Sequence, residues 1–173
     1  TRQKLLFIQK GKIMKHIDEK TNAIRHLEQK KLKFTTHNYV NTGAISGVEV
    51  AQALNENPDI VFKTLVTVGK SNQNYVFLVP VAKELDLKKA ASAVGEKNIS
   101  MLKSKDLLPL TGYILGGCSP IGMKKTFKTV IDSSAQNYET IIFSGGKIGY
   151  QIEISLEELK KALNFKLENI IVE

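Results

Sequence analysis

Tryptophan is absent from this 173-residue chain, and cysteine occurs once, as Cys118. A lone cysteine closes no internal disulfide and builds no cysteine-based zinc cluster, so a reducing compartment, the cytoplasm, is the expected setting. No run approaches the ~20 apolar residues needed to cross a bilayer, and no apolar stretch with a small-residue cleavage site follows the basic N-terminus. A membrane-bound or visibly exported protein is therefore not expected. The three histidines, His16, His26 and His37, have neither H-E-x-x-H nor any comparable metal-ligand spacing. Also missing are a G-x-S-x-G elbow, a G-x-x-x-x-G-K-[ST] phosphate loop and a G-x-G-x-x-G fingerprint. These gaps remove support for a protein-borne triad, and the expectation is no metal and no cofactor.

What is present fits one soluble globular domain. The chain is 42% hydrophobic and 24% charged, too rich in core-forming residues for disorder, and its length is that of a single core. The formal charge is +8, but Arg2, Lys4, Lys10, Lys12 and Lys15 carry five positive charges with no acid among residues 1–15, which leaves the body at +3. Residues 1–18 are expected to form a basic extension, poorly ordered, with Met14 as an alternative start, and residues 19–173 the domain. The basic balance suits a nucleic-acid partner and equally suits mere solubility.

Local patterns alternate between helix and strand. Thr21 is placed to cap a helix reaching about Lys31, with Ala23, Ile24 and Leu27 on its inner face. Residues 33–39 have strand character. Ser46 and Glu49 have capping-box spacing before a predicted stripe of Val48, Ala51 and Leu54, stopped by Asn57 and Pro58. Residues 60–69 and 74–80 read as a β-hairpin. A helix follows from Asp86 to Gly95, then a short one from Ser104 to Leu108 limited by Pro109 and Gly112. The run 113–122 reads as a strand entering a Gly/Pro loop, and 128–134, 139–146 and 149–155 as three further strands. Ser155 and Glu158 open a last helix with Leu159 and Leu163 inward, before the short apolar tail 169–172. The sum is an α+β fold.

One residue breaks the pattern. In the strand at 60–68, Val61, Lys63, Leu65 and Thr67 share a face, which sets Lys63 between aliphatic neighbours on what reads as a two-sided strand. An ammonium there needs an anion, a carbonyl or a wet cleft, or else snorkels to water at the sheet edge; a Schiff-base role is a third option. Two glycine turns follow strands, at Gly116–Gly117 and Gly145–Gly146, and either lets backbone N–H groups approach a ligand or simply makes a tight turn. Lys124 and Lys125 could meet a polyanion. Cys118 has no histidine beside it in sequence and reads as inert; Tyr39 reads as a core-rim aromatic.

Taken together, FKTLV at 62–66, LKKAA at 87–91, TGYILGGCSPIG at 111–122, KTVID at 128–132 and FSGGKIG at 143–149 resemble the YbaK/EbsC family of aminoacyl-tRNA deacylases, in order and separation. The resemblance runs from about Thr21 to about Leu163 and is nearest to the branch that removes cysteine from Cys-tRNA(Pro), and is similar to the editing domain of bacterial prolyl-tRNA synthetases. It implies a mixed, barrel-like β-sheet with flanking helices and a pocket for the aminoacylated 3′ end of tRNA, with prolyl-tRNA synthetase as a further partner. The implied catalytic groups are Lys63, Gly116 and Gly117; the implied substrate-binding residues are Tyr39, Phe62, Ser119, Pro120, Ser144, Gly145 and Gly146. Cys118 falls on a variable loop position. The implied reaction is attack of the substrate's own thiol on its ester to give a thiolactone, on Cys-tRNA(Pro) and also Cys-tRNA(Cys). An Ala-tRNA(Pro) hydrolase and a noncatalytic tRNA- or synthetase-binding module are the alternatives.

Overall fold

The structure is a computed structural model and describes residues 20–173, so the extension expected at 1–18 and the start at Met14 lie outside the described residues. Helix α1 (Asn22–Gln29) begins where Thr21 Oγ1 accepts the Ile24 N–H at 3.1 Å, and it buries Ala23, Ile24 and Leu27 as its spacing predicts. After β1 (Thr35–Asn38), helix α2 (Gly47–Ala53) starts at Ser46, whose Oγ accepts the Glu49 N–H and donates to the Glu49 carboxylate. Here the predicted stripe is rotated: Val50 and Ala51 are buried while Val48 is exposed. Gly47 explains the rotation, because its bare Cα is pressed onto Val81, where an added Cβ would stand 2.5 Å from a methyl group.

Strands β2 (Phe62–Gly69) and β3 (Asn74–Pro80) form the predicted hairpin, in register from Phe62 opposite Pro80 to Val68 opposite Asn74. Helix α3 (Leu87–Val94) is capped by Asp86, which accepts the Lys88 and Lys89 N–H groups, and ends at Gly95 with φ +75°. Next come β4 (Ile99–Met101) and α4 (Ser104–Thr111). Pro109 does not stop α4. It removes one backbone donor, and the last turn is held instead by Thr111 Oγ1 donating to Leu107 O at 2.7 Å and by Gly112 N–H to Leu108 O. Residues 113–115 are not a strand, because the Tyr113 hydroxyl is buried and donates to Ile121 O at 2.6 Å, folding the segment back on itself.

The remaining elements are β5 (Lys128–Asp132), β6 (Ile141–Ser144), β7 (Tyr150–Ile154), a single turn α5 (Leu156–Leu159) and β8 (Phe165–Glu168). The last helix is shorter than predicted and Leu163 lies beyond it; β8 was not foreseen, since its sequence FKLE is too short and too charged to read as a strand. Pairing with β5 and burial of Ile170 hold it in place.

Two sheets result, β1-β7-β6 and β4-β2-β3-β5-β8, the second mixed because β3–β5 and β5–β8 are parallel. Among the described residues one isolated bridge, Val61 to Ile142, joins them. The sheet therefore does not close into the barrel that was expected; both β4 and β8 stay edges. The main core lies between the sheets, with Phe62, Val66 and Leu78 meeting Phe143, Ile152 and Ile154, and α1 covering one end. A second apolar layer, Phe77, Val79 and Val130 with Ala90 and Val94, seats α3 on the other face of the larger sheet.

Candidate active site

The register of β2 creates the opening from which the site is built. Strand β4 covers β2 only from Thr67 onward, with Leu102 N–H taking Val66 O, and β6 meets this edge only through the Val61–Ile142 bridge, so the stretch between those two points has no paired strand among the described residues. In an antiparallel ladder alternate residues turn both backbone groups to one side. Val81 N–H bonds Val61 O and Gly69 N–H bonds Gln73 O, which points the Lys63 and Leu65 backbone at β3 and the Thr64 N–H and C=O outward. Thr64 lines a cavity of about 270 Å³.

Five predicted site residues, Tyr39, Phe62, Lys63, Gly116 and Ser144, meet in the wall of this cavity. Tyr39 is fixed where β1 ends by its N–H bond to Gly149 O, and Phe62 is 2% exposed. Lys63 is the only charged residue among the described lining residues. Its side chain is 29% exposed and its ammonium lies 3.4 Å from Glu84 Oε1, so it is neither deeply desolvated nor fully in water. Ser144 Oγ accepts the Gly146 N–H at 3.2 Å and keeps its own proton to donate.

The other five stand behind the wall or away from it. Gly117 donates its N–H to Ile114 O and packs so closely on the next loop that an added Cβ would lie 3.0 Å from Ile148 N. Ser119 is fully buried and its Oγ accepts Ile121 N–H within the loop. Pro120 lines a different groove. Gly145 bonds Tyr150 O through its N–H and accepts the Thr21 hydroxyl, while Gly146, at φ +97°, lets the turn close on Tyr113 and Thr21. The Ser-Gly-Gly turn thus ties the smaller sheet to the start of α1.

Two wall residues escaped the sequence reading. Thr64 Oγ1 and Gln151 Oε1 are buried without a hydrogen-bond partner, and both residues line the cavity. Buried polar atoms of this kind are costly unless something binds them. The signal for Thr64 was its place beside Lys63 on the opposite strand face; Gln151 offered none, as a lone polar residue in a strand reads as solvent-facing. Behind Gln151 the carboxylate of Glu56 is enclosed, and burial pushes its pKa upward. His37 and Glu153 pair nearby at 2.7 Å; burial raises the Glu153 pKa, but hydrogen bonds from Thr140 and His37 outweigh it and hold the carboxyl below its ordinary value.

Cys118 also lines the cavity, yet burial pushes its thiol up to about 12, with a contact to Thr111 acting weakly the other way. At neutral pH it is a thiol and a poor nucleophile. The described wall contains no histidine and no carboxylate. What it offers is an ammonium, the hydroxyl-bearing side chains of Tyr39, Thr64, Ser104, Ser144 and Tyr150, and the Gln151 amide. Such a pocket can hold and polarise an electron-rich group, and it needs a nucleophile from the ligand or from water.

Against known proteins, the sequence profile of the aminoacyl-tRNA editing domain matches residues 42–162. The chain belongs to this family. Over 157 residues it is 44% identical to EbsC of Enterococcus faecalis, named there as a proposed Cys-tRNA(Pro)/Cys-tRNA(Cys) deacylase, covering 90% of this chain and 96% of that one. Among solved structures, a proposed trans-editing enzyme for prolyl tRNA synthetase superposes with a TM-score of 0.76 at 24% identity, over 88% of this chain and 96% of the other. The hypothetical protein APE2540 gives 0.77 at 18%, over 88% and 100%. At those identities the structures establish the fold alone. The role that follows from the family is aminoacyl-tRNA editing, and among the described residues no helix is long and apolar enough to cross a membrane.

Proposed function

We propose that this protein is a trans-editing deacylase that frees tRNA(Pro), and tRNA(Cys), of cysteine, with the substrate's thiol as nucleophile. The observation that carries the reading is a wall with one cation and no described general base or usable nucleophile, in a chain 44% identical to EbsC. In the proposed step the substrate thiol loses its proton and its sulfur attacks the ester carbonyl. The carbonyl oxygen becomes an oxyanion, the bond to the ribose oxygen breaks, and that oxygen leaves with a proton as the free 3′-hydroxyl. The other product is cysteine thiolactone.

Intramolecular attack needs little from the protein beyond orientation, since effective molarities reach ~10⁵ M or more in favourable cases. Backbone donors suit the oxyanion. Gly117 is an unsuitable donor because its N–H is spent on Ile114, which leaves the N–H groups of Gly116 and Cys118, in residues lining the cavity, for that role. Lys63 holds the terminal nucleotide or the ester oxygen, and Tyr39, Phe62 and Ser144 pack and orient the aminoacyl end. Prolyl-tRNA synthetase is the proposed partner that presents the mischarged tRNA.

The test is the rate of loss of Cys-, Ala- and Pro-charged tRNA(Pro) with purified protein, with free thiolactone trapped and quantified. Fast loss of the cysteinyl substrate alone, with thiolactone released, is the expected result. Preferential loss of the alanyl ester would replace it with an activated-water hydrolase, and no acceleration of any substrate with a noncatalytic binding module.

A further inference from the structure

On a different face, a groove of about 380 Å³ runs between the end of α1, the loop before β5 and the segment after α5. Its described walls carry Lys30, Lys125, Lys160 and Lys161 with His26, and no carboxylate. Lys161 is paired with Glu158 at 2.8 Å, whereas Lys30, Lys125 and Lys160 have no acidic partner within 4 Å among the described residues. His26 Nε2 lies 3.4 Å from Ala162 O, which ties α1 to the segment that supplies Lys160 and Lys161. Converging ammonium groups repel one another and raise the local potential for a polyanion. The body of the chain carries only +3, so this concentration is not a reflection of uniform charge.

One loop joins the groove to the candidate active site. Residues 116–122 form one loop, in which Gly116 and Cys118 face the cavity while Pro120, Ile121 and Gly122 face the groove. Gly122, at φ +74°, brings that loop against α1, where an added Cβ would stand 2.8 Å from the Tyr113 hydroxyl and 3.0 Å from Ala23 N. Lys30, at the C-terminal end of α1, and the loop near the cavity are thereby held in one frame.

We propose that this groove binds the phosphodiester backbone of the RNA whose 3′ end enters the cavity. The inference rests on the editing reading given above. Lysines supply point charges to phosphates without reading bases, which suits an enzyme whose selectivity lies in the amino acid. Each phosphate neutralised releases counterions, so binding must weaken with salt.

The test uses the full chain and an uncharged, fluorescently labelled RNA hairpin with an acceptor-type stem and a CCA 3′ end, titrated by anisotropy at several salt concentrations. Lys125→Ala with Lys160→Ala is compared with Lys88→Ala with Lys97→Ala, two exposed lysines outside the groove that remove the same net charge. The groove pair is expected to weaken binding about tenfold and to flatten the log–log salt slope by about two, with Lys→Arg at both positions restoring both. Equal effects from the two pairs would overturn the proposal, as would a groove variant that keeps its RNA affinity but loses binding to prolyl-tRNA synthetase, which would make the groove a protein-docking surface. Wild-type deacylation of Cys-tRNA(Pro) is measured in parallel. If it proceeds while the groove pair changes nothing, the groove fails and the editing reading stands; if it is absent, the editing reading itself fails.

Discussion

The Lys63 ammonium lies 3.4 Å from Glu84 Oε1, and the two side chains differ in exposure, 29% against 81%. An ion pair with one partner so open to water is worth at most ~1 kcal/mol and is readily exchanged for a ligand anion. Glu84 therefore acts as a weak placeholder that keeps Lys63 oriented at the cavity. Glu84→Gln is expected to leave thermal stability within a degree or two of wild type and to lower KM for charged tRNA modestly, with little effect on kcat. A large fall in kcat would show that the carboxylate takes part in the chemistry.

Cys118 gives a sharper expectation. With its thiol held near 12 by burial, alkylation by iodoacetamide at pH 7.5 is expected to be far slower than for a free cysteine, which thiol titration with time would show. Cys118→Ser is expected to retain activity per folded molecule within about twofold, under ~0.5 kcal/mol of barrier. Abolished turnover in a folded Cys118→Ser protein would move the nucleophile from the substrate to the enzyme.

The two glycines of the cavity loop separate by mechanism. Gly116 has φ +83° and room for a methyl group, so Gly116→Ala carries backbone strain of ~1–2 kcal/mol. Gly117 has ordinary φ but no room, its would-be Cβ lying within 3.0–3.2 Å of the Lys147–Ile148 backbone. Gly117→Ala must push two loops apart, at ~1–3 kcal/mol. Thermal melts are expected to fall by a few degrees for each, with activity lost more steeply in Gly116→Ala if that residue's N–H meets the oxyanion.

Glu56 supplies a pH test. Its folded pKa is raised by burial, so the folded state binds the proton more tightly than the unfolded chain, and ionisation destabilises the fold at pH values above the folded pKa. That penalty fades as pH falls through the folded value toward the ordinary 4.5. Glu56→Gln is accordingly expected to melt higher than wild type at pH 7 and to lose this advantage near pH 4. A constant difference across that range would assign the effect to packing instead.

Part of the candidate site was legible because it rests on local rules. Lys63 stood out as a cation between Val61 and Leu65, and the caps at Thr21, Ser46, Asp86 and Ser155 each accept the predicted N–H. What could not be read depends on distant partners. Val48 turns outward because Gly47 meets Val81, β8 exists because β5 offers it an edge, and Gln151 faces the cavity only because β7 pairs between β1 and β6. The motif blocks brought Lys63, Gly116 and Ser144 together, but they also drew in Gly117, Ser119 and Gly145, whose sequence signature is that of loop architecture as much as of chemistry.

The most direct measurement is the half-life of Cys-tRNA(Pro) mixed with excess protein, wild type against Lys63→Ala, with circular dichroism confirming that both are folded. Wild type is expected to shorten the half-life strongly, and Lys63→Ala to lose at least about a hundredfold of that acceleration, ~2.7 kcal/mol of barrier. Equal half-lives with the two folded proteins would contradict a catalytic cavity organised around that lysine.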